Sequence, residues 1–294
     1  MGKRCQLTAT LLSAIFAAGS FAQGPRRRAG PAISQEALKK QPQTPRATGD
    51  HERHYFFAPA NVETPYRLYV PKSWDGKQKL PLVVVLHGAS GDHNQPFDNT
   101  ATDAPEIKGI LQRQAEKHGF IVASPEGYKR TPWGNALPRP IPPGQTREES
   151  QRYNRLSEQD VLNVVAVVSK EYGTDPARLY LMGNSMGSTG ALSIAASYPA
   201  MWAAISASDG GALRPSLFDF SKLKGIPGAR VLQGENDDAV SMESMKAIAD
   251  KIKEQGVDTE FFVVPGGTHR TAWYIALPAT FDFFARHVRR ANIL

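Results

Sequence analysis

The sequence predicts an α/β domain over residues 51–294, with a mostly parallel central sheet and helices on both faces. Three observations carry this. From about residue 52, extended and helical patterns alternate along the chain, the order that yields parallel strands joined by helical crossovers. "LPLVVVLHG" (80–88) is a near-continuous β-branched run, as a strand buried on both faces requires. "LYLMGNSMGSTGAL" (179–192) then passes directly from strand character into small residues at helical spacing.

The elements follow in order. "RHYFFAP" (53–59) and "YRLYVP" (66–71) read as short strands, each halted by a proline. After the 80–88 strand comes a helix near 104–118, stopped at Gly119, and then the buried strand "FIVASPEG" (120–127). Residues 128–156 are rich in Pro, Gly and polar groups and read as a long loop, a place where function concentrates. A helix is expected over 157–173, capped by Ser157, with apolar residues three and four apart. "ARLYLMG", "MWAAISASDG", "GARVLQG" and "DTEFFVVPGG" are the remaining strands. The helices "SMGSTGALSIAASYP" and "SMESMKAIADKIKEQG" lie among them, and "TAWYIALPATFDFFARHVRR" closes the chain.

The first 50 residues have a different character. Lys3 and Arg4 precede an apolar run at 7–22, and Ser20-Phe21-Ala22 places small residues where a signal peptidase reads, so residues 1–22 are expected to be a secretory signal cleaved after Ala22. Polar residues interrupt that run too often for a membrane span, and stable membrane insertion is not expected. Cys5, the single cysteine, would leave with the signal, and the mature chain would be secreted or periplasmic and free of disulfides. Residues 23–50 read as a disordered, basic, Pro-rich linker.

The net charge of +7 belongs to this leader. Lys3 and Arg4 contribute +2, and residues 23–46 contribute +5 through Arg26, Arg27, Arg28, Lys39, Lys40 and Arg46 against Glu36, which leaves residues 47–294 neutral. A nucleic-acid module needs its basic residues on a folded face, so no nucleic-acid partner is expected. No His/Asp/Glu cluster has metal-ligand spacing and no phosphate-cradling loop is present, so neither a metal nor a cofactor is expected.

Ser185 sits between Gly183 and Gly187 where a strand turns into a helix. A nucleophile pushed out on so tight a turn needs small neighbours, and the helix N-terminus behind it favours the negative charge of acyl transfer. The N–H of Met186 is then the first oxyanion donor. The strand-end turn in "LHGASGDH" (86–93) offers the N–H of Ala89 as the second. Of the histidines, only His269 and His287 follow the serine. His287 lies in the closing amphipathic helix and reads as a last-turn residue on helix carbonyls, whereas His269 follows "FFVV" in a Gly266-Gly267-Thr268 turn and reads as the base. "VLQGENDDAV" (231–240) supplies Asp237 and Asp238 as candidates to orient it, with Asp209 in "SASDGG" a weaker rival. Tyr128, Trp133, Trp273 and Tyr274 are candidate walls of a substrate pocket.

Ser185, Asp237 and His269 in that order, with His87-Gly88 upstream, resemble an α/β-hydrolase of the secreted esterase group that includes polyhydroxybutyrate depolymerase-like and feruloyl esterase-like enzymes. The resemblance covers roughly residues 52–290 and is most specific over "DVLNVVAVVSKEYGTDPARLYLMGNSMG". It implies hydrolysis of a small or polymer-linked carboxylic ester through an acyl-enzyme. The family's G-x-x-D-x-x-V spacing falls on Gly234, Asp237 and Val240, which implies Asp237 as the orienting acid. Asn184 stands where many relatives have histidine, a departure expected to leave the chemistry untouched. Two alternatives stay open: a prolyl-oligopeptidase-like peptidase, which shares fold and triad, and a noncatalytic binding protein of the same fold. The oligomeric state has no signature in the sequence.

Overall fold

A computed structural model of the protein describes residues 46–99, 107–135, 141–210, 213 and 215–290. The expected signal, residues 1–22, and nearly all of the expected linker lie outside the described residues.

Eight strands form one sheet: β1 Gly49–Phe57, β2 Val62–Val70, β3 Leu82–Leu86, β4 Ile121–Pro125, β5 Leu179–Asn184, β6 Ala204–Ser208, β7 Gly228–Gly234 and β8 Asp258–Val264, in the spatial order β1-β2-β4-β3-β5-β6-β7-β8. β1 and β2 are an antiparallel hairpin joined through Ala58–Asn61, β2 meets β4 antiparallel, and all other pairs are parallel. Pro59 and Pro71 stand just past the two hairpin strands, which begin four residues earlier than the apolar pattern suggests because their first residues are mostly polar or exposed.

The helices are α1 Gln95–Asp98, α2 Ile110–His118, α3 Arg147–Tyr172, α4 Met186–Ser197, α5 Met242–Lys253, α6 Ala272–Ile275 and α7 Leu277–Arg286. They cover both faces of the sheet. Leu82, Val84 and Leu86 of β3 enter one core with Val161, Val164 and Val168 of α3 and Ile194 of α4, whereas Val83 and Val85 enter the other with Leu111 of α2 and Phe281 and Phe284 of α7. Period-two alternation thus feeds two apolar layers from a single strand, which is why its sequence shows no polar face.

Two expectations are corrected. The helix placed at 157–173 begins at Arg147: Thr146 accepts from the Glu149 N–H at 3.1 Å while Glu149 returns a bond to the Thr146 N–H at 2.9 Å, a complete capping box. Ser157 is therefore not a cap but a buried mid-helix residue, 3.0 Å from the Thr131 hydroxyl. The closing helix is broken between α6 and α7, with Pro278 in the first turn of the second piece, because proline lacks the N–H that would continue the first.

After β3 the chain moves outward to β4, and after α3 it returns to the other side of β3 to make β5. Side chains at the carboxyl ends of β3 and β5 face a crevice at this switch point, where open α/β sheets bind ligands. Among the described residues no helix is long and apolar enough to cross a membrane.

Candidate active site

Ser185 follows the last residue of β5 with φ 55° and ψ −115°, a left-handed conformation that only surrounding structure can hold. Its N–H donates to the Ser208 carbonyl at the end of β6 (2.9 Å). The flanking glycines are required by contact. A Cβ at Gly183 would lie 2.4 Å from the Gly187 backbone, and one at Gly187 would lie 2.1 Å from the Leu86 carbonyl oxygen of β3. Without side chains at both, strand, turn and α4 press directly against β3.

His269 Nε2 lies 3.0 Å from Ser185 Oγ, and His269 Nδ1 lies 2.9 Å from Asp237 Oδ2. The other Asp237 oxygen accepts from the N–H groups of Ala239 (2.8 Å) and Val240 (3.0 Å). Burial alone would raise this carboxyl, but the bond from His269 and the backbone donor of Ala239 outweigh it and hold Asp237 below the ordinary carboxylate range. The Asp237 side chain has no solvent exposure, whereas Asp238 is exposed. The loops bearing acid and histidine are tied together: Asn236 N–H donates to the Gly267 carbonyl at 2.8 Å, and Gly234 leaves no room for a Cβ beside that carbonyl.

The cleft around Ser185 and His269 has a volume of about 390 Å³ and is walled by Ala89, Gln95, Pro96, Arg270, Trp273 and Tyr274. Ala89 and Met186 flank the serine, and neither N–H meets an acceptor among the described residues. The Gln95 side chain fixes the Ala89 turn by accepting from Gly88 N–H at 3.1 Å. Trp273 lines the cleft, its ring centroid 4.0 Å from that of Tyr274.

Trp133 and Tyr128 do not line it, and their expected role as pocket walls is corrected. Trp133 is 1% exposed, packs against Gly190 and Gly127 behind the site, and donates its indole N–H to the His87 carbonyl at 3.2 Å. Tyr128 packs against Phe57 and Tyr153. Both anchor the long loop. His287 bonds the Phe283 carbonyl at the end of α7 (2.8 Å), as a last-turn residue, with its other nitrogen 3.0 Å from Asp258.

Of three further neighbours of the site, the sequence reading set Asn184 aside as neutral to the chemistry, weighed Asp209 only as a rival acid and passed over Arg270. Asn184 is not a bystander, since its side-chain amide donates to the backbone carbonyl of His269 (3.3 Å). Asp209, fully buried at the end of β6, and Arg270, immediately after the histidine, complete the surroundings. The signal for Asp209 was present in its strand-end position.

A sheet of this order, with its serine raised on the turn after the fifth strand, has the α/β-hydrolase fold. The family model described as "Putative esterase" matches residues 59–218, and the chain belongs to that family. It is an enzyme, a serine hydrolase of carboxylic esters. Among solved structures it is similar to a thermostable esterase (TM-score 0.61, 23% identity over 82% of this chain), of whose length it spans only 63%. It is also similar to an S-formylglutathione hydrolase from Agrobacterium tumefaciens (TM-score 0.62, 18% identity, 83% of this chain and 98% of that one). A third similar structure is a ferulic acid esterase from Anaeromyces mucronatus (TM-score 0.59, 16% identity, 85% and 94%). The chain matches no curated protein.

Proposed function

We propose that the chain is a secreted ester hydrolase that works through an acyl-enzyme on Ser185, with His269 as base and Asp237 as its orienter. The observation that carries this reading is the unbroken pair of hydrogen bonds from Asp237 through His269 to Ser185 Oγ. His269 Nε2 takes the hydroxyl proton as Oγ attacks the ester carbon. The carbonyl oxygen becomes negative and is received by the N–H groups of Met186 and Ala89, at the N-terminus of α4. The imidazolium, paired with Asp237, returns its proton to the departing alkoxide, and water repeats the sequence on the acyl group.

A cleft of about 390 Å³ suits a small ester or the end of a polymer-linked one, gripped between Pro96 and Trp273. Arg270 is the one wall residue with a fixed charge, it has no ion-pair partner among the described residues, and no carboxylate lines the cleft beside it. Esters bearing an anionic group are therefore favoured over neutral ones. Secretion is supported by the composition of residues 1–22.

A fluorophosphonate probe should label the purified protein and fail to label Ser185→Ala. Turnover of para-nitrophenyl acetate with none of a chromogenic dipeptide separates esterase from peptidase, and labelling that persists at another serine refutes the assignment. N-terminal sequencing of the exported protein tests cleavage after Ala22.

A further inference from the structure

A second carboxyl lies beneath the acid of the site. Asp209 follows β6 with φ 53°, a strained conformation for a non-glycine residue, and is 0% exposed. Its Oδ1 accepts from Gly234 N–H at 2.8 Å, and its Oδ2 lies 2.6 Å from the Ser208 hydroxyl and 3.4 Å from the Asn184 amide. Its carboxyl also stands within hydrogen-bonding reach of the Asp237 carboxyl.

We propose that Asp209 is a positioning residue: as the neutral acid it donates a hydrogen bond to the Asp237 carboxylate and thereby holds Asp237 on His269 Nδ1. The proposal rests on the reading of Asp237 as the orienter of His269. Two carboxyls in contact away from water cannot both be ionised, so one proton resides between them. Asp237 is the partner that stays charged, because it accepts from two backbone N–H groups and from His269. Asp209 meets only neutral donors.

The groups packed around Asp209 are Asn184 at the end of β5, Ser208 on β6, Gly234 and Asp237 at the exit of β7, and Met245 of α5, whose sulfur accepts from Gly210 N–H. Among the described residues its titratable neighbours are therefore Asp237 and, through it, His269 of the loop after β8. Burial first, and the neighbouring Asp237 charge after it, push the Asp209 carboxyl up to about 7. Below that pH Asp209 is a donor. Above it, a second negative charge develops against Asp237 and the proton that joins them is lost.

Asp209→Asn tests this directly, because the amide keeps a donor for Asp237 and an acceptor for Gly234 yet cannot ionise. Turnover of para-nitrophenyl acetate is measured from about pH 5.5 to 9, per active site titrated with fluorophosphonate so that unfolded protein does not count. Asp209→Asn should stay within about threefold of the parent kcat near pH 6 and lose the parent's inflection near 7, whereas Asp209→Ala should fall by about tenfold or more. The downfield proton resonance of His269 Nδ1–H should titrate through neutrality in the parent and remain fixed in Asp209→Asn. An Asn variant as impaired as the Ala variant, or an Ala variant at parent kcat while Asp237→Asn is crippled, overturns the proposal. Full turnover by Asp237→Asn defeats the underlying assignment instead.

Discussion

Replacing Asp237 by asparagine should leave the fold intact and disable the base, and the geometry dictates how. Asp237 Oδ1 accepts from the N–H groups of Ala239 and Val240, so the amide oxygen of asparagine must occupy that place. Its NH2 is then directed at His269 Nδ1, which can bind it only as an acceptor. The imidazole proton moves to Nε2, the atom 3.0 Å from Ser185 Oγ, and the histidine can no longer take the serine proton. Turning the amide round would restore the tautomer but leave two backbone donors facing an NH2, at about 1–3 kcal/mol each. A total of about 2–6 kcal/mol leaves at most one molecule in about thirty correctly arranged. The loss in kcat should approach the 10³- to 10⁴-fold scale known for the corresponding change in another serine hydrolase, about 4–5.5 kcal/mol. Asp238→Asn, at an exposed position, should change little. The assay is kcat on para-nitrophenyl acetate at neutral pH for both variants, with melting curves as control. A crippled Asp238→Asn beside an active Asp237→Asn would refute the reasoning, and two active variants would move the role to Asp209.

Trp133→Ala should lower stability by about 3–5 kcal/mol, since it empties a fully buried site, and lower Tm by about 6–20 °C with KM unchanged; a raised KM at unchanged Tm would return Trp133 to the substrate. Arg270→Ala should reduce kcat/KM for 4-acetoxybenzoate by about threefold to fivefold, the scale of one exposed ion pair, and leave its methyl ester unaffected; equal losses on both would remove charge recognition from its role. Among the described residues, a chain beginning at Gly49 forfeits the 3.3 Å bond from Tyr172 to the Ala47 carbonyl and the 2.8 Å pairing of the His51 ring with the Thr48 carbonyl, so its Tm should move by less than about 8 °C and its kcat stay constant; insolubility would show that the leader packs on the domain.

The sheet and the proposed order of serine, acid and histidine were legible because each depends on a local pattern: a buried run, a glycine-flanked turn, a polar residue just past a strand. What was misread depends on contacts between distant segments. An aromatic on a polar loop reads the same whether it faces substrate or core, and the two glycines that admit the Trp133 ring, Gly127 and Gly190, lie 63 residues apart. The true start of α3 carried a signal in Thr146 and Glu149, but its first ten residues show too little apolar periodicity to compete with the Pro-rich loop before them. Asn184 looked inert because its partner is the backbone of a residue 85 positions away.

The strained turn at Ser185 also makes ester turnover a clock for folding. Its conformation is held by Ser208 of β6 and by the glycine contact with β3, so the nucleophile takes shape only when the three central strands have closed on one another. A refolding intermediate with full helix content but a loose sheet centre would give its circular dichroism signal and hydrolyse nothing. Recovery of activity should therefore trail recovery of ellipticity whenever such a species accumulates.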